Sequence, residues 1–381
     1  MTRPLRTLYV ALFISVLSLL FIGSMRAVFS YQLPNQFSVF DGGLAKTFES
    51  HYDEHFPVKT LGTSLWAGLD YLLFNEGRPG VQIGEQGWLY SNEEFKAEAN
   101  GAQQVRENLA LIRGVRDELA QHGVQLLVAV LPSKARLYPE FVGDNPTSTL
   151  RQGLYQQFLT ELHKAGITAP DLLTILQDGK ADGAMFLRTD THWTPAGADL
   201  VAQQLNTTLA GRIALAGEPQ QFITQAGQAE PYNGDLTRFL PLEPLFGYLL
   251  PPPDQLRRSE TKAVSQPVED ADALFADSEI PVALVGTSYS ANPAWNFAGA
   301  LRQHLQRDLS NHSEDGQGPL VPMLKYLQSE ELQGTPPQLV IWEFPERYLP
   351  MANDLSAFDA QWLTTLQQPS DKRHLAAGDR P

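Results

Sequence analysis

"VRENLALIRGVRDELAQHGVQLLVAVLP", residues 105–132, decides the fold class. Val105, Leu109, Ile112, Val115 and Leu119 recur at steps that put them on one apolar helix stripe. Gly123 closes that helix. "VQLLVAVLP" then runs apolar without alternation, as a strand buried on both faces does. A helix followed by a fully apolar strand is the grammar of a parallel α/β sheet. Such sheets hold ligands beyond the C-terminal ends of their strands. "SKARLYPE", residues 133–140, opens a loop at such an end.

The same pattern recurs along the chain. "IPVALVGTSYSANPAWNF", residues 280–297, is a second buried strand running into Gly286, Thr287 and Ser288, with a helix expected from about Pro293. "QLVIWEFPERYL", residues 338–349, is a third. "GEQGWLYSNEE", from Gly84, reads as a tight turn entering a strand. Residues 151–175 give a further helix and a short extended piece near Ile167. Thr194 and Pro195 have the chemistry of an N-cap and a first helical residue, and Leu200, Val201, Leu205 and Leu209 supply that helix's apolar face. Residues 215–278 are irregular; "PPP" at 251–253 and the charged run after it predict loops or a small insertion.

Composition bounds the function. The 381 residues are 43% hydrophobic and 19% charged, which is enough for a large core and too apolar for a disordered chain. A formal net charge of -15 argues against nucleic acid, which needs a basic face. With no cysteine there is no disulfide, no thiolate nucleophile and no Cys-ligated metal.

Arg3 and Arg6 precede an apolar run from Leu8 to Ile22, "LYVALFISVLSLLFI". This is a secretory signal or a membrane anchor with the arginines left in the cytoplasm. "GSMRA" puts Arg26 where a cleavage site wants small residues, which favours an uncleaved anchor and a chain tethered outside the cytoplasmic membrane. The expected organisation is an anchor over 1–28, a helical extension over 29–80, a catalytic domain over 81–366 with 215–278 as a possible insertion, and a mobile tail over 367–381. Within the extension, "HYDEH" puts His51 and His55 on one helix face. The zincin motif needs Glu after its first His, and Tyr52 stands there, so a solvated face is expected.

"RTDTHWTPAGA", residues 188–198, sets Asp190 two residues before His192. On an extended segment these side chains share a face, so the carboxylate can fix the imidazole tautomer and leave the other nitrogen free as a base. The alternatives are a metal site, which lacks an evident third ligand, and a purely structural pair. Without cysteine, a nucleophile must come from Ser or Thr. Ser288 is the candidate. It follows a buried strand and Gly286, and it precedes a helix, but G-x-S-x-S is not the lipase elbow and is weak alone.

The ensemble is more specific. "GWLY" (87–90), "TDTHW", "GDLTRFLP" (234–241), "GTSYSAN" (286–292) and "WEFPERYL" (342–349) together resemble the SGNH hydrolase superfamily, and more closely its alginate O-acetyltransferases of the bacterial periplasm. The Asp–His block here precedes the Ser block, which looks like a circular permutation of the usual motif order. The resemblance covers about residues 30–365 and implies an SGNH-like α/β fold: a parallel sheet flanked by helices, behind an N-terminal membrane anchor. It puts the nucleophile on Ser288, the base on His192 and the orienting acid on Asp190. For the oxyanion it implies the Ser288 N–H and Gly318 of "GQGP". The block that should hold an Asn carries Glu343 and Arg347 instead.

The resemblance further implies O-acetylation of polymannuronate, the alginate precursor, through a serine acetyl-enzyme, with no cofactor and no metal. The stretch after "WEFPERYL" is too short for an appended carbohydrate-binding module, as in single-domain anchored members. Expected partners are the polysaccharide, a membrane-bound O-acyltransferase as acetyl donor, other alginate acetylation proteins, and the inner membrane. An acetylesterase and a non-catalytic scaffold of the export complex are the rivals. Lys134, Arg136 and Arg347 follow strand ends and can line a basic groove for the polyanion, or be plain surface charge. Trp193 and Trp295 can stack on sugar rings or pack in the core.

Overall fold

The structure, a computed structural model, describes residues 3–33, 38, 41–145, 147–264 and 280–368. The tail expected from 367 lies almost wholly outside these residues, as does the end of the 215–278 stretch. The chain forms two compact units: residues up to Pro79 with Arg238–Pro251, and Gly80–Thr237 with the chain from Pro252 onward.

The first unit is helical. α1 (Arg3–Ser30) contains the apolar run and is long and apolar enough to cross a membrane. α2 (Gly43–His55) and α3 (Pro57–Phe74) follow. His51 is not merely solvated: its Nε2 lies 3.0 Å from Ser30 Oγ and 3.1 Å from the Ala27 carbonyl, tying α2 to the last turn of α1. Its ring stacks on His55.

The second unit opens with a hairpin, β1 (Val81–Ile83) and β2 (Leu89–Ser91). α4 (Gly101–Gln121) and β3 (Gln125–Leu131) are the helix and strand expected over 105–132. α5 (Lys134–Leu137), α6 (Thr149–Lys164), α7 (Leu172–Gly179) and α8 (Pro195–Leu209) come next. Thr194 caps α8 as expected, its Oγ1 accepting from Gly197 N at 3.1 Å. After β4 (Phe222–Tyr232) and β5 (Asp254–Ala263) come β6 (Val282–Val285), α9 (Ser288–Ala291), α10 (Phe297–Leu305), β7 (Leu309–Asn311), α11 (Leu320–Leu327), α12 (Glu330–Gly334), β8 (Leu339–Pro345) and α13 (Ala360–Gln367).

The central sheet has the order β3-β8-β6-β7, and every pairing is parallel. Alternate residues feed two cores. Leu127, Ala129, Leu284 and Ile341 face one layer with α7, α8 and α10. Val128, Val130, Val285 and Trp342 face the other with α4, α6 and α11. This three-layer arrangement explains the continuous apolar strands, because neither face meets water. Since the strands are parallel, their C-terminal ends share one edge, where residues 133–134, 286–288 and 346–347 lie.

Within the described part of the 215–278 stretch, residues 215–264, there is more regular structure than the sequence predicts. β4 and β5 pair as an antiparallel two-stranded arm, Tyr232 opposite Asp254 and Phe222 opposite Ala263. Most arm residues are exposed, so the strands carry no apolar alternation to betray them. β7 is only three residues long and also gave no signal.

One helix position reverses the ordinary rule of helix propensity. Gly114 in α4 lies against α13, and a Cβ there would meet the Leu366 carbonyl oxygen at 1.8 Å. Alanine in a helix interior normally gains about 1 kcal/mol over glycine. Here Gly114→Ala is expected to destabilise instead, measured as a lower urea midpoint with an unchanged m-value.

Candidate active site

The site is built on a segment with few sheet-like partners. Residues 188–192 connect α7 to α8; the N–H groups of Arg188, Thr189, Thr191 and His192 go to side chains, while the carbonyls of Arg188, Thr189 and His192 accept from the N–H groups of Leu89, Leu236 and Leu187. Asp254, at the foot of β5, accepts from Arg188 N at 2.9 Å, Thr189 N at 2.8 Å and Thr189 Oγ1 at 2.5 Å. Asp235 accepts from Thr191 N at 2.8 Å and Thr191 Oγ1 at 2.7 Å. The Lys134 ammonium donates to the Arg188 carbonyl at 2.9 Å and the Asp190 carbonyl at 2.8 Å. The Tyr289 hydroxyl donates to the Thr191 carbonyl.

This scaffold brings Asp190, His192 and Ser288 together. Asp190 Oδ1 lies 2.6 Å from His192 Nδ1, and His192 Nε2 lies 2.7 Å from Ser288 Oγ. Asp190 is fully buried, and His192 and Ser288 are 9% and 8% exposed. Burial raises the Asp190 pKa, but the His192 hydrogen bond and charge and the N–H groups of Asp235 and His192 outweigh it and hold the carboxyl well below the ordinary range. Because Asp190 stays ionised and acceptor-only, the imidazole proton belongs on Nδ1, leaving Nε2 to accept from Ser288. The ring packs on Trp295, 5.1 Å between centroids, and on Tyr289 at 4.6 Å.

Ser288 begins α9, directly after β6. Beneath it lies Glu343, a fully buried carboxylate in β8. It accepts from Thr287 N at 3.0 Å, Thr287 Oγ1 at 3.1 Å and Ser290 Oγ at 2.7 Å, gripping the turn on both sides of Ser288. Burial pushes its pKa up, and those hydrogen bonds oppose the shift only in part. A Cβ at Gly286 would meet Glu343 Oε2 at 2.5 Å, so this turn needs glycine for the carboxylate to approach.

Asp235 supplies the third donor that the sequence did not suggest for a metal: its carboxylate, Asp190 and His192 form a cluster. The lone pairs argue for the hydrogen-bonded reading. Asp190 Oδ1 already accepts from His192 N and Nδ1, and Oδ2 from Tyr232 OH and Asp235 N. Both Asp235 oxygens hold Thr191.

Several expectations are corrected. Lys134 is buried, over the rings of Trp88 and Tyr90, and lines no surface groove. Arg347 is buried and spent on Tyr289 OH, Tyr348 OH and Glu93. Arg136 is committed to Glu346 and to the carbonyls of Arg151 and Gln152. A groove from these three cations therefore does not exist. Trp193 and Trp295 are both buried, Trp193 against Tyr289 and Phe297, so neither offers a ring to a sugar. Gly318 lines a cavity of about 480 Å³ with Tyr348, Met351 and Phe358, whose lining includes none of Asp190, His192 and Ser288. Asp235, Asp254, Tyr232 and the positions of Lys134 and Glu343 were missed. "GDLTRFLP" and the Asp after "PPP" were their only traces in the sequence.

Among the described residues no carboxylate lies within ion-pair distance of Lys134. Burial lowers its pKa to about 8, against the pull of Glu94 and Asp190. The cost of burying the ammonium is thus present below about pH 8 and is relieved as pH rises towards 10.5, the ordinary value. The stability of wild type relative to Lys134→Met is therefore expected to rise over that interval in paired urea titrations.

Comparison with known proteins supplies the context. Residues 81–346 match the family model described as "SGNH hydrolase-like domain, acetyltransferase AlgX". The chain is 54% identical to the probable alginate O-acetylase AlgJ of Pseudomonas syringae pv. tomato, over 99% of this chain and 96% of the relative. It is 50% identical to the probable alginate O-acetylase AlgJ of Pseudomonas aeruginosa, over 100% of this chain and 98% of the relative. The solved O-acetyltransferase domain of Pseudomonas putida AlgJ superposes with a TM-score of 0.71 at 53% identity, covering 76% of this chain and all but 1% of that one (99%).

Proposed function

The chain belongs to the SGNH hydrolase-like AlgX acetyltransferase family, and from that premise we propose that it O-acetylates alginate, using Ser288, His192 and Asp190 as nucleophile, base and orienting acid. The observation that carries the assignment of roles is the unbroken chain of short hydrogen bonds from Asp190 Oδ1 through His192 to Ser288 Oγ.

His192 Nε2 takes the Ser288 proton as Oγ attacks the donor's acetyl carbonyl. The C–O bond to Ser288 forms, the bond to the leaving group breaks, and His192 returns the proton to that group. A polymer hydroxyl then gives its proton to His192 and attacks the acetyl ester. The sugar ester forms and Ser288 Oγ is reprotonated. Each half-reaction passes through an imidazolium, which Asp190 in contact and Asp235 at 4.0 Å from Nδ1 both favour. The Ser288 N–H, at the start of α9, is the oxyanion donor on which this reading rests.

The acceptor polymer is a polyanion and the chain carries -15. With Lys134, Arg136 and Arg347 committed internally, the polymer is engaged near Ser288 without an ionic clamp from those side chains. α1 anchors the protein in the inner membrane with the second unit in the periplasm, and a membrane-bound O-acyltransferase delivers the acetyl group from the cytoplasmic side.

The test is acetyl release from a chromogenic ester, with and without mannuronate oligomers. Ser288→Ala is expected to fall to background. Asp190→Asn is expected to lower kcat by about 10⁴-fold, the effect of losing the orienting acid in a triad. Acetylated oligomer identifies a transferase, whereas acetate alone identifies an esterase. Equal activity of wild type and Ser288→Ala would refute the assignment.

A further inference from the structure

α3 is built inside-out for a helix in water. A water-facing helix buries its large apolar residues and exposes its small polar ones. In α3 the buried positions are Ser64 and Gly68. Ser64 Oγ donates to the Leu242 carbonyl at 2.5 Å and accepts from Leu245 N at 3.2 Å. Gly68 lies so close to the Phe246 ring that a Cβ would meet it at 2.5 Å. Leu61, Leu65, Leu69, Leu72 and Leu73 follow one another at helical spacing and are all exposed, with Trp66 beside them at 67%. Leu245 and Tyr248 of the same unit are exposed too. Small residues turned to the protein and large apolar ones turned outwards is the pattern of a helix whose surroundings are hydrocarbon.

We propose that α3 is a second membrane-contacting element of this chain, lying along the bilayer surface with its leucine stripe among the acyl chains and Trp66 at the headgroup level. What points to lipid is continuity with α1. α1 exposes an apolar surface long enough to cross a bilayer, and it belongs to the same compact unit as α3. Its last turn is fastened to α2 through His51, and it packs directly against α3. The stripe is therefore held at the membrane by the anchor itself. α3 does not span: Lys59, Asp70 and several hydroxyls interrupt it, and among the described residues only α1 is apolar enough to cross. Leucine and tryptophan side chains turned outwards, with Ser64 and Gly68 turned to the protein, suit the interface instead. This inference is independent of the chemistry at Ser288.

The chain has no cysteine, so single labels need no background removal. Full-length protein carrying Leu65→Cys, Leu69→Cys or Leu73→Cys, with Gln121→Cys as the exposed control on α4, would be nitroxide-labelled and reconstituted into phosphatidylethanolamine–phosphatidylglycerol vesicles. The expected result is an oxygen-to-nickel-chelate collision ratio several-fold higher at the three leucine positions than at 121. Equal ratios would mean the stripe faces water and would overturn the proposal. Low access to both reagents with dipolar broadening would mean a second copy covers it, which also overturns it. Unchanged circular dichroism and melting of each labelled variant exclude misfolding, and three separate positions keep the outcome from resting on one.

Discussion

Residues 188–192 carry Asp190 and His192 on a backbone held largely by side chains, and meeting that need organises the site. Buried N–H and C=O groups must be satisfied. Here Asp254, Asp235 and Asp190 take the N–H groups and Lys134 takes two carbonyls. A strand in this place would have satisfied the same groups, but it would have paired both edges and closed the approach to Ser288. Charged side chains hold the segment from below and from the arm side instead. Two of those acids, Asp190 and Asp235, also stand beside the imidazole, while the Lys134 ammonium is turned to the backbone.

Ser288 is held by a separate device with the same logic. A parallel sheet delivers Gly286–Ser288 to the edge shared by all strand ends. The turn is then gripped by Glu343 from the neighbouring strand. The two halves meet in one hydrogen bond, from Ser288 to His192. Each half has its own hydrogen bonds, so the distance between them is set by how the two halves pack. Tyr289 braces the join, since its hydroxyl reaches back to Thr191 while Arg347 donates to it at 2.8 Å.

Much of this was legible in the sequence, for physical reasons. Fully buried strands and a striped helix leave periodic traces, so α4, β3, β6, β8 and α8 could be read directly. Asp190 and His192 stood out through their extended spacing, whereas Ser288 was weak alone and took its expected role from the family resemblance. The supporting residues could not. Lys134 acts on carbonyls more than fifty residues away in sequence (|i−j| of 54 and 56), and no local pattern records that a lysine will be buried. Asp235 and Asp254 are each one acid among the 43 Asp and Glu of the chain. The β4–β5 arm lacked apolar alternation because most of its residues face water, with Leu256 the buried exception. The tryptophans looked available to sugars because aromatic residues after a strand give no hint of their final burial.

The arm's foot has a consequence for how the molecule opens. Tyr232 and Asp254 are paired across the arm, and both reach the acid–base segment, Tyr232 through Asp190 and Asp254 through Arg188 and Thr189. The amides of 188 and 189 both donate to the Asp254 side chain, and Asp254 is itself the last rung of the arm ladder, opposite Tyr232. The segment and the base of the arm therefore form one cooperative opening unit, although sixty or so residues separate them in the chain (|i−j| of 65 and 66). Anything that seizes the arm, whether a polymer strand or a neighbouring protein, changes the protection of the very amides that hold Asp190 in place.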